Sequence, residues 1–261
     1  MATTLRTHHM LAEERRLLIV DWTRKDGRLD AGIAAKKLSV ATETVRRDLD
    51  VLARRGVLRR VHGGAIALER FTREYTIPER EHLQPDAKRR IAETAAAYLP
   101  EEGCVFVDGG TTTEFLAPYL RNRPKLLVVT NNLRLVNAIG DSGTKVHVLA
   151  GTVRPTTLSS IGPRTVNDLL DLNAVAAFIG ANGVSADLKA TAFDNDEAIV
   201  KRQMIRNAEE VILLVDNSKF GATYPATFAG MGDLDRVVCD VDTENDYVER
   251  MTAADIEVVV A

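Results

Sequence analysis

The chain has 261 residues, 45% hydrophobic and 27% charged, which fits a globular protein and excludes a disordered or fibrous one; at roughly 150 residues per domain, two domains are expected. No apolar run approaches the ~20 residues of a membrane span and the first residues lack the apolar core of a secretory signal, so no membrane partner is expected and the cytoplasm is the expected compartment. The net charge of −3 hides an asymmetry: residues 1–73 carry 16 Lys and Arg against 9 Asp and Glu, a net of +7, whereas residues 74–261 carry 18 against 28, a net of −10. A basic segment on an acidic body points to a reader of polyanions whose contact is confined to the N-terminal part. The two cysteines, Cys104 and Cys239, each sit in an apolar, strand-like run and read as buried free thiols, and the five histidines make no metal-ligand spacing. Neither a disulfide, a metal nor another cofactor is expected.

Residues 1–9 are polar and patternless and are expected to be disordered, with the fold beginning at Met10. A first helix carries Leu11, Leu17, Leu18 and Val20 to Trp22, with Glu13 and Glu14 suited to its N-terminal turn and Asp26-Gly27 at its end. Leu29 suggests a short strand that pairs with a later hairpin. Asp30 is placed to cap a second helix through Leu38, with Ile33, Ala34 and Leu38 inward. Ser39-Val40-Ala41 makes a turn in which Val40 plugs the small core. In the next stretch Val45, Leu49 and Leu52 recur at i, i+4 and i+7 and share one helix face. Gly56 is placed to stop that helix in a left-handed turn. Two β-prone runs then flank His62-Gly63-Gly64, which reads as a hairpin.

Helix, turn, helix and basic hairpin together suit a winged helix-turn-helix on double-stranded DNA, with the third helix in the major groove and the hairpin on the backbone or minor groove. Thr42, Glu43, Thr44, Arg46 and Arg47 lie off the apolar face. Thr42 reads equally as an N-cap or a contact and Thr44 as helix surface or a contact, while Arg46 and Arg47 have Asp48 and Asp50 as rival partners. Arg54, Arg59 and Arg60 suit phosphates, which add affinity without sequence information. His62, beside Gly63 at the wing tip, reads as a contact rather than a core residue.

Residues 69–86, with Pro78 and Pro85, many charges and little periodicity, read as a linker between a DNA-binding domain (10–68) and a second domain (87–261). A helix from Ala87 to Leu99, with Ile91, Ala95 and Tyr98 inward, leads to the apolar run Cys104–Val107. Asp108-Gly-Gly-Thr-Thr-Thr113 then opens a helix through Leu120. A strand, a Gly/Thr loop and a helix start make an anion site, because free backbone N–H groups and hydroxyls converge there. Alternation continues with strands at 125–129, 146–150, 175–179, 211–215, 237–239 and 258–260, and with helices after Asn132, after Pro163, at 197–206 and at 244–251. Strands alternating with helices imply an α/β domain with a mostly parallel sheet covered on both faces. Its polar loops at 108–113, 130–132, 180–183 and 216–221 are expected to gather at one edge, where open α/β sheets bind ligands.

These residues resemble the DeoR family of bacterial repressors of sugar metabolism, from Met10 to nearly the end. Met10-Leu-Ala-Glu-Glu-Arg-Arg16 is similar to the family's N-terminus, and Thr44-Val-Arg-Arg-Asp-Leu49 and Arg60-Val-His-Gly-Gly-Ala65 to its DNA-binding signature. Asp108–Thr113, Thr130-Asn-Asn132, Glu197-Ala-Ile-Val-Lys201 and Asp216-Asn-Ser-Lys-Phe-Gly221 resemble its sensor motifs. The resemblance implies a sensor domain related in fold to ribose-5-phosphate isomerases, a phosphorylated sugar or polyol as effector, and a homodimer or homotetramer that represses transcription. Within it, the phosphate is expected on Gly110, Thr111, Thr112 and Thr113 with Lys219 as counter-charge, and Asp108, Asn131 and Glu197 are expected to bond hydroxyls. Glu197 and Lys201, four apart, read alternatively as a surface ion pair. Gly109 replaces a common serine, Pro155-Thr-Thr157 replaces a Gly-rich stretch, and Lys189 stands where a glycine is common, reading equally as a phosphate cation or a pocket filler. The rival reading is a sugar-phosphate isomerase or transferase with an accessory DNA-binding domain. It needs a base beside a C–H next to a carbonyl; Asp108, Asp194 and Glu197 are candidates, but no acid–base pair stands out.

Overall fold

The computed structural model describes residues 11–55, 57–61, 63–67, 74–241 and 246–261, in two compact units, 1–73 and 74–261. The expectations for residues 1–9, for Gly56 and for the linker's first residues, 69–73, lie outside the described residues.

The first unit runs α1 (Ala12–Asp26), β1 (Arg28–Asp30), α2 (Ala31–Leu38), α3 (Thr42–Arg54), β2 (Leu58–Val61) and β3 (Gly64–Ala67). Gly27 ends α1 in a left-handed turn at φ 70°. The Asp30 carboxylate accepts the Ile33 N–H and caps α2. The face of α2 that packs inward is Ala31, Ala34, Ala35 and Leu38. Ile33, expected inward, is 58% exposed, because two residues past Ala31 the helix has turned almost to its far side. Val45, Leu49 and Leu52 of α3 join Ile19, Leu29 and Ala34 in one core, with Val40 half-buried against it. Ala41 occupies the cap position of α3, so Thr42 is the first helical residue and not the cap.

The sheet order is β1-β3-β2, with Leu29 opposite Ala65 and Val61 opposite Gly64. A Cβ on Gly64 would lie 1.8 Å from the Leu29 carbonyl oxygen, so only glycine lets β3 approach β1. Asp48 is buried on the inner side of α3, where its carboxylate accepts from Arg15 (2.5 Å) and Arg16 (2.8 Å) of α1. This removes it as a partner for Arg46 and Arg47.

The second unit holds β4 (Gly103–Val107), β5 (Leu126–Thr130), β6 (Lys145–Val148), β7 (Thr152–Arg154), β8 (Ser159–Ile161), β9 (Ala174–Gly180), β10 (Gly183–Val184), β11 (Ala190–Ala192), β12 (Ala208–Val215), β13 (Ala226–Ala229), β14 (Arg236–Cys239) and β15 (Glu257–Val260). Seven strands form one sheet in the order β15-β14-β12-β9-β4-β5-β6, and every neighbouring pair is parallel. Successive side chains of a strand go to opposite faces. Phe106, Leu213 and Val215 pack under the helices Pro163–Leu170 and Asn195–Arg206, whereas Val105, Val107, Ile212 and Leu214 pack with Ile91, Leu116 and Leu135 on the other side.

Several expectations change. The segment expected as linker is helical at Ile77–His82, where Thr76 and Glu79 form a reciprocal cap and Ile77 is buried. The next helix spans Pro85–Ala95 and tightens into a 3₁₀ turn at Ala96–Tyr98. The helix expected from Thr111 to Leu120 splits into Thr111–Glu114 and Ala117–Leu120, since Pro118 has no N–H to continue the first piece. The last helix is Asp246–Thr252, and Glu244 lies outside the described residues. Two small antiparallel sheets, β7-β8 and β10-β11-β13, are additions; strands of two to four residues carry too little pattern to be read. Cys239 is buried but Cys104 only half-buried, and both thiols are free. Among the described residues no helix is long and apolar enough to cross a membrane.

Trp22, the only tryptophan, lies in α1, so its fluorescence follows the first unit. Asp48→Ala strands two partly buried guanidiniums and is expected to cost that unit about 2 kcal/mol. Urea unfolding followed at Trp22 checks this, and an unchanged midpoint contradicts it.

Candidate functional site

The outward face of α3 exposes Glu43, Arg46, Arg47 and Arg54, with Thr42 and Thr44 half-buried beside them. The Arg46 and Arg47 side chains are 56% and 79% exposed, and their only ion pairs among the described residues are loose ones to Glu43, at 3.7 and 3.8 Å. Such exposed pairs contribute little and leave both guanidiniums available to another acceptor. Arg60 is different: Asp50 holds it at 2.9 Å, and it donates to the Gly64 carbonyl at 3.0 Å, which ties the hairpin to the end of α3. These bonds position the wing from the same side chain that the sequence offers to a phosphate. Arg59 is half-buried, and Gly63 is exposed at the turn with φ 74°. His62 lies outside the described residues.

In the second unit, the chain leaves β4 for β5 toward one edge and β9 for β12 toward the other. β4 and β9 are sheet neighbours, so a crevice opens beyond their carboxyl ends. The cleft there is small and is lined by Gly109–Thr113 after β4, Gly180–Asn182 after β9, Thr157, Glu197, Lys201, Lys219 and Arg80. Three of the four loops expected to gather at one edge contribute to it or to its floor. The opening turn at Thr111–Glu114 leaves its first amides without partners inside the helix. At four residues that helix is too short for its dipole to matter much; the amides and hydroxyls carry the anion character. The Thr113 hydroxyl is turned inward, 2.7 Å from the Asp108 carbonyl and 2.9 Å from that of Gly110, so it staples the loop, whose Thr111 and Thr112 also line the cleft.

Asp108 does not reach the cleft. It is 2% exposed, pairs with Lys201 and accepts the Gly180 N–H at 3.1 Å. Asn131 is also buried: it donates to the Ser160 carbonyl at 3.1 Å, and its Oδ1 finds no hydrogen-bond partner among the described residues. Glu197 and Lys201 are not a surface pair. Lys201 turns to Asp108 and the Gly180 carbonyl, whereas Glu197 accepts from Thr157 at 2.7 Å and lies 3.5 Å from Arg154. Lys219 lines the cleft 3.7 Å from Asp216. Lys189 neither adds a cation to the cleft nor fills it. It is exposed on the turn before β11 and pairs with Asp187 at 2.8 Å, and that bond, with help from Ser185, pulls the Asp187 carboxyl down to about 2. Arg80, Thr157 and Asn182 were missed: Arg80 sits in a segment without periodicity, and Thr157 in a hairpin too short to read.

Residues 83–241 match the family described as the DeoR C terminal sensor domain, and residues 15–71 the DeoR-like helix-turn-helix domain. The chain is 32% identical over 243 residues to the uncharacterized HTH-type transcriptional regulator FruR of Bacillus subtilis, spanning 92% of this chain and 97% of that one. It is 29% identical over 235 residues to the glycerol-3-phosphate regulon repressor of Escherichia coli, spanning 90% and 93%. Among solved structures it is similar to ribose 5-phosphate isomerase A of Methanocaldococcus jannaschii, with 18% identity, a TM-score of 0.39, and 52% and 55% of the two chains covered.

One cation stands behind the cleft wall. Lys88 is 2% exposed and donates to the Arg80 carbonyl at 2.5 Å. Burial, then the charges of Lys219 and Arg80, push its amine down to about 8 against the smaller pull of Asp216 and Glu81. The unfolded chain, with an ordinary lysine value of 10.5, therefore holds the extra proton between about pH 8 and 10.5, and stability gains as pH rises through that window. Lys88→Met is expected to remove this gain, up to about 3 kcal/mol. Urea unfolding of both proteins at several pH values checks it, and parallel pH dependences contradict it.

Proposed function

The chain belongs to the DeoR family of DNA-binding transcriptional regulators, and from this premise we propose that it is a repressor of carbohydrate-metabolism genes governed by a phosphorylated sugar or polyol in the cleft of its second unit. The observation that carries the effector reading is the convergence, at the switch point of a parallel sheet, of a Gly/Thr loop with the cations Arg80 and Lys219 and the carboxylate of Glu197. The phosphate rests on Gly110, Thr111 and Thr112 with Lys219 as counter-charge. Glu197, Thr157 and Asn182 accept and donate to hydroxyls. Asp108 acts from beneath by fixing Lys201, and Asn131 by supporting the neighbouring hairpin.

On the DNA side, Arg46 and Arg47 read base edges with Thr42, Glu43 and Thr44 beside them. Arg54 and Arg59 neutralise phosphates, and the wing at His62 and Gly63 meets the backbone. A homodimer or homotetramer presents two such helices about 34 Å apart, one turn of duplex. The effector controls DNA binding only through unequal affinity for two arrangements of these heads.

Arg46→Ala with Arg47→Ala is expected to cut specific operator affinity at least about thirtyfold, as each lost bidentate contact removes about 1–3 kcal/mol. Gel retardation measures this with circular dichroism as the fold control, and unchanged retention rules out α3 as the reading helix. Thr111→Val with Thr112→Val is expected to retain the operator yet no longer respond to sugar phosphates; a preserved response moves the phosphate elsewhere.

A further inference from the structure

Arg80 lies in the segment whose sequence reads as linker, yet its side chain lines the cleft and is only 15% exposed. Its backbone is fixed from three sides. The Thr76–Glu79 cap starts its helix, Ile77 is buried beneath it, and the Lys88 ammonium clamps its carbonyl. The guanidinium is the part left free to choose. Among the described residues it gives one bond, at 2.9 Å, to the carboxylate of Glu74, which is itself nearly buried. Glu74 also accepts both terminal nitrogens of Arg154, so a single negative charge is divided between two guanidiniums. Arg154 has further acceptors in Asp194 and Glu197, each at 3.5 Å.

Lys201 is buried on Asp108 and the Gly180 carbonyl, and Lys219 lies 3.7 Å from Asp216. Arg80 is the cleft cation whose carboxylate partner is shared with a second guanidinium, and its five donors form the fork that suits a phosphate group.

Resting on the reading of the cleft as a phosphate site, we propose that Arg80 is a ligand of the bound phosphate and that Glu74 is its competitor, holding the guanidinium when the cleft is empty. Glu74 is the first residue of the second unit, directly after Arg73. A phosphate that captures Arg80 therefore loosens the hold on the residue where the DNA-binding unit joins the sensor, and by linkage whatever strengthens that hold weakens the phosphate. Glu74 is a positioning residue in this scheme, and its removal tightens binding, which a merely structural carboxylate would not do.

The test is calorimetric titration of the full chain with inorganic phosphate, which presents the recognised group alone. Arg80→Gln is expected to weaken binding about tenfold or more, the loss of a charge-assisted bond, and Arg80→Lys to recover part of it without the fork. Glu74→Gln is expected to tighten binding severalfold, and amide exchange over residues 74–83 to rise when phosphate is added to the unaltered chain. Binding that is unchanged in Arg80→Gln but lost in Thr111→Val with Thr112→Val overturns Arg80 as a ligand and leaves the phosphate site standing. Equal or weaker binding by Glu74→Gln overturns the competition, a result that does not depend on how the Arg80 variants fold. Phosphate binding that neither the Arg80 nor the threonine changes affect, or none at all by the full chain, overturns the cleft reading with it.

Discussion

The buried pair of Lys201 and Asp108 is the contact on which the second unit's site depends. Asp108 closes β4, and its amide donates to the Phe178 carbonyl of β9 at 3.0 Å, while its carboxylate takes the Gly180 N–H and the Lys201 ammonium. Lys201 also donates to the Gly180 carbonyl and lies 5.4 Å from the centre of the Phe228 ring. Two central strands and the helix Asn195–Arg206 are thereby joined at the point where the sheet's connections diverge. A buried ion pair repays its desolvation only when its remaining donors and acceptors are also satisfied, and here the backbone of β9 supplies those bonds. The loops after β4 and β9, which line the cleft, begin at this joint.

The two units put arginine to contrasting use. In the first, Arg15 and Arg16 neutralise buried Asp48 and Arg60 fixes the hairpin, so three of the cations that give the segment its positive charge are structural. Among the described residues Arg46 and Arg47 pair loosely with a shared glutamate on the surface, an arrangement that keeps their desolvation cost low and their donors available. In the second unit Arg80 and Arg154 sit around Glu74, where burial makes each charge costly and each partner matter.

The departure at Gly109 has a steric counterpart. A Cβ there would fall 2.8 Å from the Cβ of Ser159, so the serine common in the family has no room beside this hairpin. On β8 the Ser159 hydroxyl bonds that of Thr157 at 2.8 Å and lies 3.5 Å from the Glu197 carboxylate.

Local rules settled the first unit almost entirely: the Asp30 cap, the Gly27 stop, the apolar stripe of α3 and the wing glycines each act within a few residues. The alternation of strands and helices, the parallel sheet and the loop at Asp108–Thr113 were legible for the same reason, since a strand buried on both faces must be apolar throughout and a tight strand-to-helix turn favours glycine. Only the tertiary structure decided what those motif residues face. Asp108 and Lys201 turn toward each other at the base of the cleft, Lys189 turns to solvent, and Arg80 arrives in the cleft from a segment that reads as linker. Spacing fixes which side of a helix or strand a group occupies, but which charges meet is settled by packing between elements far apart in the chain, and no local pattern records that.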